Sequence, residues 1–387
     1  MNLLEDVRAQ FRAVFHAEPL AVAHAPGRVN LLGEHVDYNG GWVLPAAIDR
    51  ATYVAFGPAS GDKVTLHALD LDESERLALG SLEAKRATLK SWALYPAGVA
   101  WALRGHGLAV KGMRAVFTSD VPRGAGLSSS ASVEVAFATA WQTLGGWNLD
   151  PMDKARLCQK AENQYVGVNC GIMDQFAAAC GQAEHVLLLD CRTLEWERVA
   201  LPPGLAVIVA DTGVRRELGK SEYNIRRAQC EEAVTVLSGP LPGIRQLRDV
   251  SVDDFNHHCR LLSPLVERRA RHVVEENART QAAVGLLRAG RAAEFGQLMN
   301  ACHASLRDLY EVSCPELNAL AEAAQTIEGC YGARLTGAGF GGCTVNLVAA
   351  PATGHFTREL AQRYHQATGR QAEIYVCRAA DGAGVSA

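Results

Sequence analysis

The stretch that most limits what this chain can become is MRAVFTSDVPRGAGLSSSASVEVAFATAWQTL, residues 113–144. MRAVFTSD reads as a strand, Pro122 and a pair of glycines end it, and apolar residues at 133, 137, 141 and 144 then recur at helical spacing. A strand, a glycine loop and a helix in direct succession favour a mixed α and β architecture. In the loop, Gly124, Ala125, Gly126 and Leu127 lead into Ser128, Ser129, Ser130, Ala131 and Ser132. Glycines let backbone N–H groups turn inward as an anion nest, and a helix start adds unpaired N–H groups at its positive dipole end. The segment therefore reads as a phosphate cradle. It is not a Walker A loop, because G-x-x-x-x-G-K-[ST] is absent and something else must replace that lysine. The competing reading is a tight turn in which Ser128 caps the helix.

Two further segments share this punctuation. GRVNLLGEHVDYNGG, residues 27–41, crowds Arg28, Glu34, His35, Asp37 and Tyr38 between turn residues. Carboxylates accept from hydroxyls while imidazole and guanidinium donate to them, so the set suits a polyhydroxylated ligand. It equally suits a polar hairpin loop, with Asn39-Gly40-Gly41 joining two strands. TGAGFGGC, residues 336–343, has four glycines in eight residues. That density marks close backbone approach by a ligand or a chain segment, or else a bulge or hairpin turn. Between them, NCGIMDQF places Asp174 after a Cys-Gly turn and before an apolar helical stretch, as an N-cap or as a catalytic carboxylate.

The remaining pattern supplies organisation. Strand-like runs return at HVLLLDC, EWERVAL and LAVIVADTG, and Pro202-Pro203-Gly204 is the strongest break, which puts a boundary between residues 1–203 and 204–387. Helices dominate 221–329, where the arginines at 268–271 read as a solvated helix face. The chain has 387 residues, enough for about two or three domains. Its formal charge is −4, from 38 Lys and Arg against 42 acids, which gives no basic face for nucleic acid. No apolar run nears the roughly 18 to 20 residues that cross a bilayer. The N-terminus carries a helical stripe rather than a signal peptide's core, and eleven scattered cysteines without a C-x-x-C pair read as reduced thiols, so a cytoplasmic protein is expected. Cys259 beside His257 and His258 is the one local His/Cys cluster, and side chains adjacent on a helix diverge too far to share a metal.

Taken together, GRVNLLGEHVDYNGGWVLPAAI, GAGLSSSASVEVA and LTGAGFGGC resemble the three motifs of the GHMP kinase superfamily, the first in the form typical of its galactokinase branch. The resemblance runs nearly end to end, through AENQYVGVNCGIMDQFAAACG and SEYNIRRAQCEEA to the final IYVCRAADGAG. It implies an α+β, two-lobed GHMP kinase fold, with a mixed sheet in the N-terminal lobe and a ferredoxin-like α+β C-terminal lobe. It also implies ATP- and Mg²⁺-dependent phosphorylation of the anomeric hydroxyl of α-D-galactose, in a monomer or at most a weak homodimer. By the same resemblance, Asp174 is the catalytic aspartate with Arg28 beside it. Glu34, His35, Asp37, Gly171 and Tyr223 fall on sugar-contacting positions, together with Arg28 and Asp174. Gly124 to Ser132 match the ATP phosphate loop, Trp92 the aromatic against adenine, and Ser130 and Glu162 the magnesium positions. Val36 stands where Thr is usual and Asn318 where Asp is usual. The rivals are a relative acting on N-acetylgalactosamine, arabinose or galacturonate, and a non-catalytic galactose and ATP sensor. The full-length serine loop speaks against the sensor.

Overall fold

The computed structural model describes residues 2–215 and 219–386. The strands of the first half are β1 (Ala21–Asn30), β2 (Trp42–Val43), β3 (Pro45–Pro58), β4 (Lys63–Ala68), β5 (Glu73–Ala78), β6 (Met113–Ser119), β7 (His185–Asp190) and β8 (Trp196–Ala200). The second half adds β9 (Leu205–Asp211), β10 (Cys330–Thr336), β11 (Cys343–Ala349), β12 (Glu373–Cys377) and β13 (Gly384–Ser386).

Six strands form a mixed sheet in the order β13-β1-β3-β6-β4-β5, in which only the β4–β6 pair is parallel. β1 is buried almost throughout because both its faces are covered. On one face, helix Leu3–Phe15 sets Val7 and Phe11 against Val22, Ala55 and Val116. On the other lies helix Ser129–Gly145, the one anticipated from the apolar spacing, with Phe137 and Trp141 fully buried. Burying side chains of this size stabilises by about 1.5–3 kcal/mol each. β2, β7 and β8 make a small antiparallel sheet. Pro202, Pro203 and Gly204 lie between β8 and β9, where the strands change sheet.

The other sheet is antiparallel throughout, in the order β10-β11-β9-β12. Helices Gly219–Leu237, Val252–His258, Pro264–Arg288, Ala292–Asp308 and Pro315–Gln325 intervene between β9 and β10, and helix Thr353–Thr368 between β11 and β12. After β12 the chain leaves this sheet, and β13 pairs with β1. Among the described residues no helix is long and apolar enough to cross a membrane.

Two local expectations are corrected. Asp37–Asn39 forms a 3₁₀ turn that Gly40 closes in a left-handed conformation, and the strand that follows it, β2, pairs with β7 while β1 pairs with β3. Leu31 and Leu32 extend the β1–β3 ladder through their bonds with Leu44, and the residues between Leu32 and Leu44 are a wide connection rather than a tight hairpin turn at Asn39-Gly40-Gly41. The arginines at 268–271 are not a solvated face either. Arg269 is fully buried, donating to the Leu309 carbonyl and pairing with Glu311 at 2.5 Å, while Arg268 reaches the same carboxylate at 3.0 Å. A long helix packed on two sides buries its arginine stems and spends the heads on carbonyls and carboxylates. All eleven cysteines are free, and Cys259 Sγ and His257 Nδ1 are engaged by backbone carbonyls of their own helix.

Candidate active site

The three glycine-punctuated segments, far apart in sequence, meet at one place. Gly126 (φ +80°) and Gly337 (φ +82°) lie backbone against backbone: a Cβ on Gly126 would sit 2.6 Å from the Thr336 carbonyl oxygen, and one on Gly337 2.5 Å from the Gly126 oxygen. A side chain at either position would force the loops apart, which accounts for glycine there. Arg28, at the end of β1 and nearly fully buried, binds the same loop through Nη1 to the Gly126 oxygen at 2.6 Å.

The rest of the Arg28 guanidinium holds Asp174. Nε and Nη2 reach Oδ1 at 2.9 and 2.7 Å. The other oxygen, Oδ2, accepts from the Ser128 hydroxyl at 2.5 Å. Asp174 stands in the first turn of helix Met173–Cys180 but makes no capping bond, and Ser128, at the N-cap position of its own helix, makes none either. Both capping readings therefore give way to a direct contact between the two residues. A carboxylate offers about four lone-pair sites, and three are filled here. The vacant one is on Oδ2, and Asp174 lines a cavity of about 170 Å³.

Arg28, Glu34, His35, Asp37, Gly171 and Tyr223 line the same cavity, as does Glu162. Glu34 Oε2 is taken by Arg334 and by the Gly337 N–H, and Oε1 has no partner among the described residues. Asp37 Oδ1 accepts from the Tyr38 N–H at 2.9 Å, and its carboxylate lies directly over Gly171, so close that a Cβ there would collide with it. Burial, with Asp174 nearby, raises the Asp37 carboxyl to about 7.

His35 differs from the role its chemistry suggested. Its Nε2 faces the Ala338 carbonyl at 3.2 Å, and Nδ1 faces the Tyr38 hydroxyl at 3.0 Å. Burial lowers its pKa to about 3, so the ring is neutral. A carbonyl can only accept; Nε2 therefore carries the hydrogen, Nδ1 accepts from Tyr38, and the Tyr38 oxygen accepts from Tyr310 at 2.7 Å. No ring N–H is left for a ligand. His35 instead presents its ring beside Tyr223, with centroids 5.5 Å apart.

A second cavity, of about 180 Å³, opens beyond the serine loop and is lined by Trp92, Tyr95, Phe117, Arg123, Ser129 and Ser130, among others. Trp92 is fixed by its indole N–H, which donates to Glu73 at 2.6 Å, and by Phe117 with centroids 5.6 Å apart. The nine loop residues do not share one role. Gly124 is exposed under the Arg215 side chain, and Ser129 and Ser130 face the cavity. Ala125, Leu127 and Ala131 are buried in the core, and Ser132 is spent on the Ala25 carbonyl and Thr52.

Between the cavities lies a group of buried acids. A stretch of π-helix, Ala161–Val166, carries Glu162, a helix irregularity that recurs at functional sites. Gln175 Nε2 bridges Glu162 at 2.6 Å and Glu134 at 3.0 Å. Burial and the neighbouring Asp174 raise Glu162 to about 7, partly offset by Cys170 and the Ser130 side chain, while burial and Glu162 push Glu134 well above the usual range. Glu134 Oε1 and Gln175 Oε1 are buried without a partner. Glu162, with the Ser130 side chain on its carboxyl and the orphaned Glu134 and Gln175 oxygens nearby, offers the hard oxygen donors that suit Mg²⁺, although no group of three or more acidic, His or Cys side chains converges on one point among the described residues.

Arg334 and Arg215 are two arginines near the site that the sequence motifs do not single out. Arg215 packs over Gly124, donates to the Arg123 carbonyl at 2.8 Å and spends both Nη atoms on Asp211, at 2.7 and 2.6 Å, so its charge beside the loop is already paired. The only local hint was the arginine pair following LAVIVADTG.

Comparison with known proteins gives consistent matches. Residues 9–58 match the family model described as "Galactokinase galactose-binding signature", residues 95–182 "GHMP kinases N terminal domain" and residues 283–362 "GHMP kinases C terminal". A galactokinase of Roseiflexus sp. (strain RS-1) is 49% identical over 98% of this chain and 96% of its own length. One of Chloroflexus aggregans is 46% identical over 99% and 97%. Among solved structures, Lactococcus lactis galactokinase complexed with galactose superposes with a TM-score of 0.94 at 36% identity, over 99% of this chain and all of that one. Methanococcus jannaschii mevalonate kinase, at TM-score 0.65 and 18% identity, over 93% of this chain and 98% of its own, shares the fold.

Proposed function

The chain belongs to the galactokinase family and uses ATP to phosphorylate galactose, and from that premise we propose how its residues divide the work. The sugar occupies the cavity of Arg28, Glu34, Asp37 and Asp174, and the nucleotide base the cavity of Trp92, with the serine loop between them. The observation that carries this reading is the Arg28–Asp174–Ser128 contact at the meeting of the glycine segments.

The anomeric hydroxyl donates to the vacant site on Asp174 Oδ2. Arg28 and Ser128 fix the carboxylate plane, so the hydroxyl is aligned before transfer, which is the larger part of what phosphoryl transfer asks of a protein. Asp174 then takes the proton at Oδ2 as the anomeric oxygen bonds to the γ-phosphorus of ATP and the bond from that phosphorus to the bridging oxygen breaks, ADP leaving with the electron pair. The first N–H groups of helix Ser129–Gly145, with Arg123 at the cavity wall, face the charge on the transferring group. Ser130 and Glu162 would hold Mg²⁺, which when bound neutralises phosphate charge. Glu34 Oε1 and Asp37 accept sugar hydroxyls, Gly171 lets Asp37 sit close, and Tyr223 and His35 form the ring wall.

For the chain as a whole we take the two lobes to divide at Pro202-Pro203-Gly204, where the strands change sheet, as the 1–203 and 204–387 boundary expects, except that the segment after β12 returns to the first lobe, where Ala379 bridges Ile48 and β13 pairs with β1. In sequence order the second sheet runs 2-3-1-4 with helices after its first and third strands, which supports a ferredoxin-like reading of that lobe. ADP release measured across galactose, glucose, talose, N-acetylgalactosamine, arabinose and galacturonate tests the substrate. Galactose should lead the panel, and faster turnover of any other sugar overturns the assignment.

A further inference from the structure

Among the carboxylates lining the sugar cavity, Glu34 alone is held from the far end of the chain. Its Oε2 accepts from Arg334 Nη2, and from the Gly337 N–H at 3.1 Å. Arg334, on β10, is completely buried and does not line the cavity. Its Nε donates to the Leu335 carbonyl at 2.7 Å and its Nη1 to the Asn30 carbonyl at 3.0 Å. Three acceptors in three directions around one planar fork fix the guanidinium, and through it the rotation of the Glu34 carboxylate. An ammonium has no such fork and cannot serve all three.

The neighbouring residues are tied from the same side. The Gly33 N–H donates to Glu276 Oε1 at 2.8 Å, the Glu34 carbonyl meets His272 Nε2 at 3.1 Å, and the Asn30 N–H donates to Thr336 Oγ1 at 3.1 Å. The Glu34 segment is thus a fixed strap whose one adjustable part is the carboxylate, and Arg334 sets that part.

We propose that Arg334 is a positioning residue for sugar selection: it turns Glu34 so that Oε1 meets one hydroxyl of galactose, and so sets epimer preference without touching the sugar. The proposal rests on Glu34 being a sugar contact. A site built on hydrogen bonds rejects a mismatched hydroxyl only while its own polar groups are held in place.

The test measures kcat, galactose KM, ATP KM and the galactose-to-glucose ratio of kcat/KM in the full chain, for Arg334→Lys, Arg334→Gln and Glu34→Gln. Both Arg334 variants should raise galactose KM by about ten- to hundredfold, the range for losing a charge-assisted hydrogen bond. Their epimer ratio should fall, with ATP KM unchanged and kcat within about threefold of wild type, because the transfer groups are elsewhere. Combining Glu34→Gln with Arg334→Lys should add little to either change, as coupled residues do. Wild-type galactose KM and epimer ratio in the Arg334 variants, alongside their loss in Glu34→Gln, overturns the proposal. Wild-type behaviour of Glu34→Gln overturns the Glu34 reading beneath it. Loss of binding of a non-hydrolysable ATP analogue in both Arg334 variants overturns positioning in favour of a purely structural role.

Discussion

Ser128 donates its hydroxyl hydrogen to Asp174 Oδ2 across 2.5 Å, on the opposite side of the carboxylate from Arg28. The serine therefore acts on the transfer step as well as on the loop. Asp174→Asn and Asp174→Ala should lose roughly two or more orders of magnitude in kcat, the weight of a positioned acid–base group, while still binding an ATP analogue. Near-wild-type turnover in either would remove Asp174 from the chemistry. Ser128→Ala keeps the aspartate but frees one of its oxygens, and kcat should fall by about ten- to hundredfold with galactose KM little changed. An unaltered kcat would show that Arg28 alone suffices to orient the carboxylate.

Gly171 is required by Asp37. A methyl group at 171 would strike the Asp37 carboxylate, which the Tyr38 N–H holds from the other side. Gly171→Ala should raise galactose KM by about tenfold, as expected when a hydrogen-bonding group to the sugar is displaced, and leave ATP KM unchanged. Steady-state kinetics with each substrate varied in turn decides it, and equal rises in both constants would count against a local effect.

The raised pKa of Asp37 gives a pH dependence with a definite sign. Its carboxyl titrates at about 7 when folded, against an ordinary value near 3.8. The folded chain therefore holds this proton more tightly than the unfolded chain. Its stabilising share is complete below the ordinary value and is lost as pH rises through about 7. Binding moves the other way, since only the ionised group accepts from two sugar hydroxyls. kcat/KM for galactose should climb through about pH 7. Asp37→Asn should flatten that rise, and a wild-type profile in the variant would place the titration elsewhere.

Gly337→Ala tests the seam between the glycine segments. Alanine at φ +82°, with the Gly126 oxygen 2.5 Å from its Cβ, should lower the melting temperature and raise KM for both substrates. The left-handed conformation alone costs roughly 1–2 kcal/mol for a non-glycine residue. A melting temperature equal to wild type would mean that the two loops separate easily.

Much of this was legible in the residues and some was not. Helix Ser129–Gly145 and its glycine loop announced themselves because apolar spacing and backbone freedom are local properties. The burial of Leu127, Ala131 and Ser132 inside that loop was not legible, since a small residue facing a ligand and one facing a core look alike in one dimension. Asp174 read locally as a cap, and only the family resemblance singled it out, because its partner Arg28 lies on a strand 146 residues away. Arg334 went unread and Arg269 was misread as solvated for the same reason. A buried arginine is betrayed by its acceptors, and those are carbonyls and carboxylates supplied by distant segments.

The pairing of β13 with β1 sets the order in which this protein can be completed during synthesis. β1 carries Arg28 and gains β3 as soon as residues 45–58 emerge, yet its other edge waits for Gly384 to Ser386. Until then the nascent chain exposes an open edge at Val22 to His24, at the end of β1 away from Arg28, which is the kind of surface that recruits stray strands. Such long-range closure slows folding, and deleting Gly384 to Ser386 should show first as aggregation during expression rather than as a defect in catalysis.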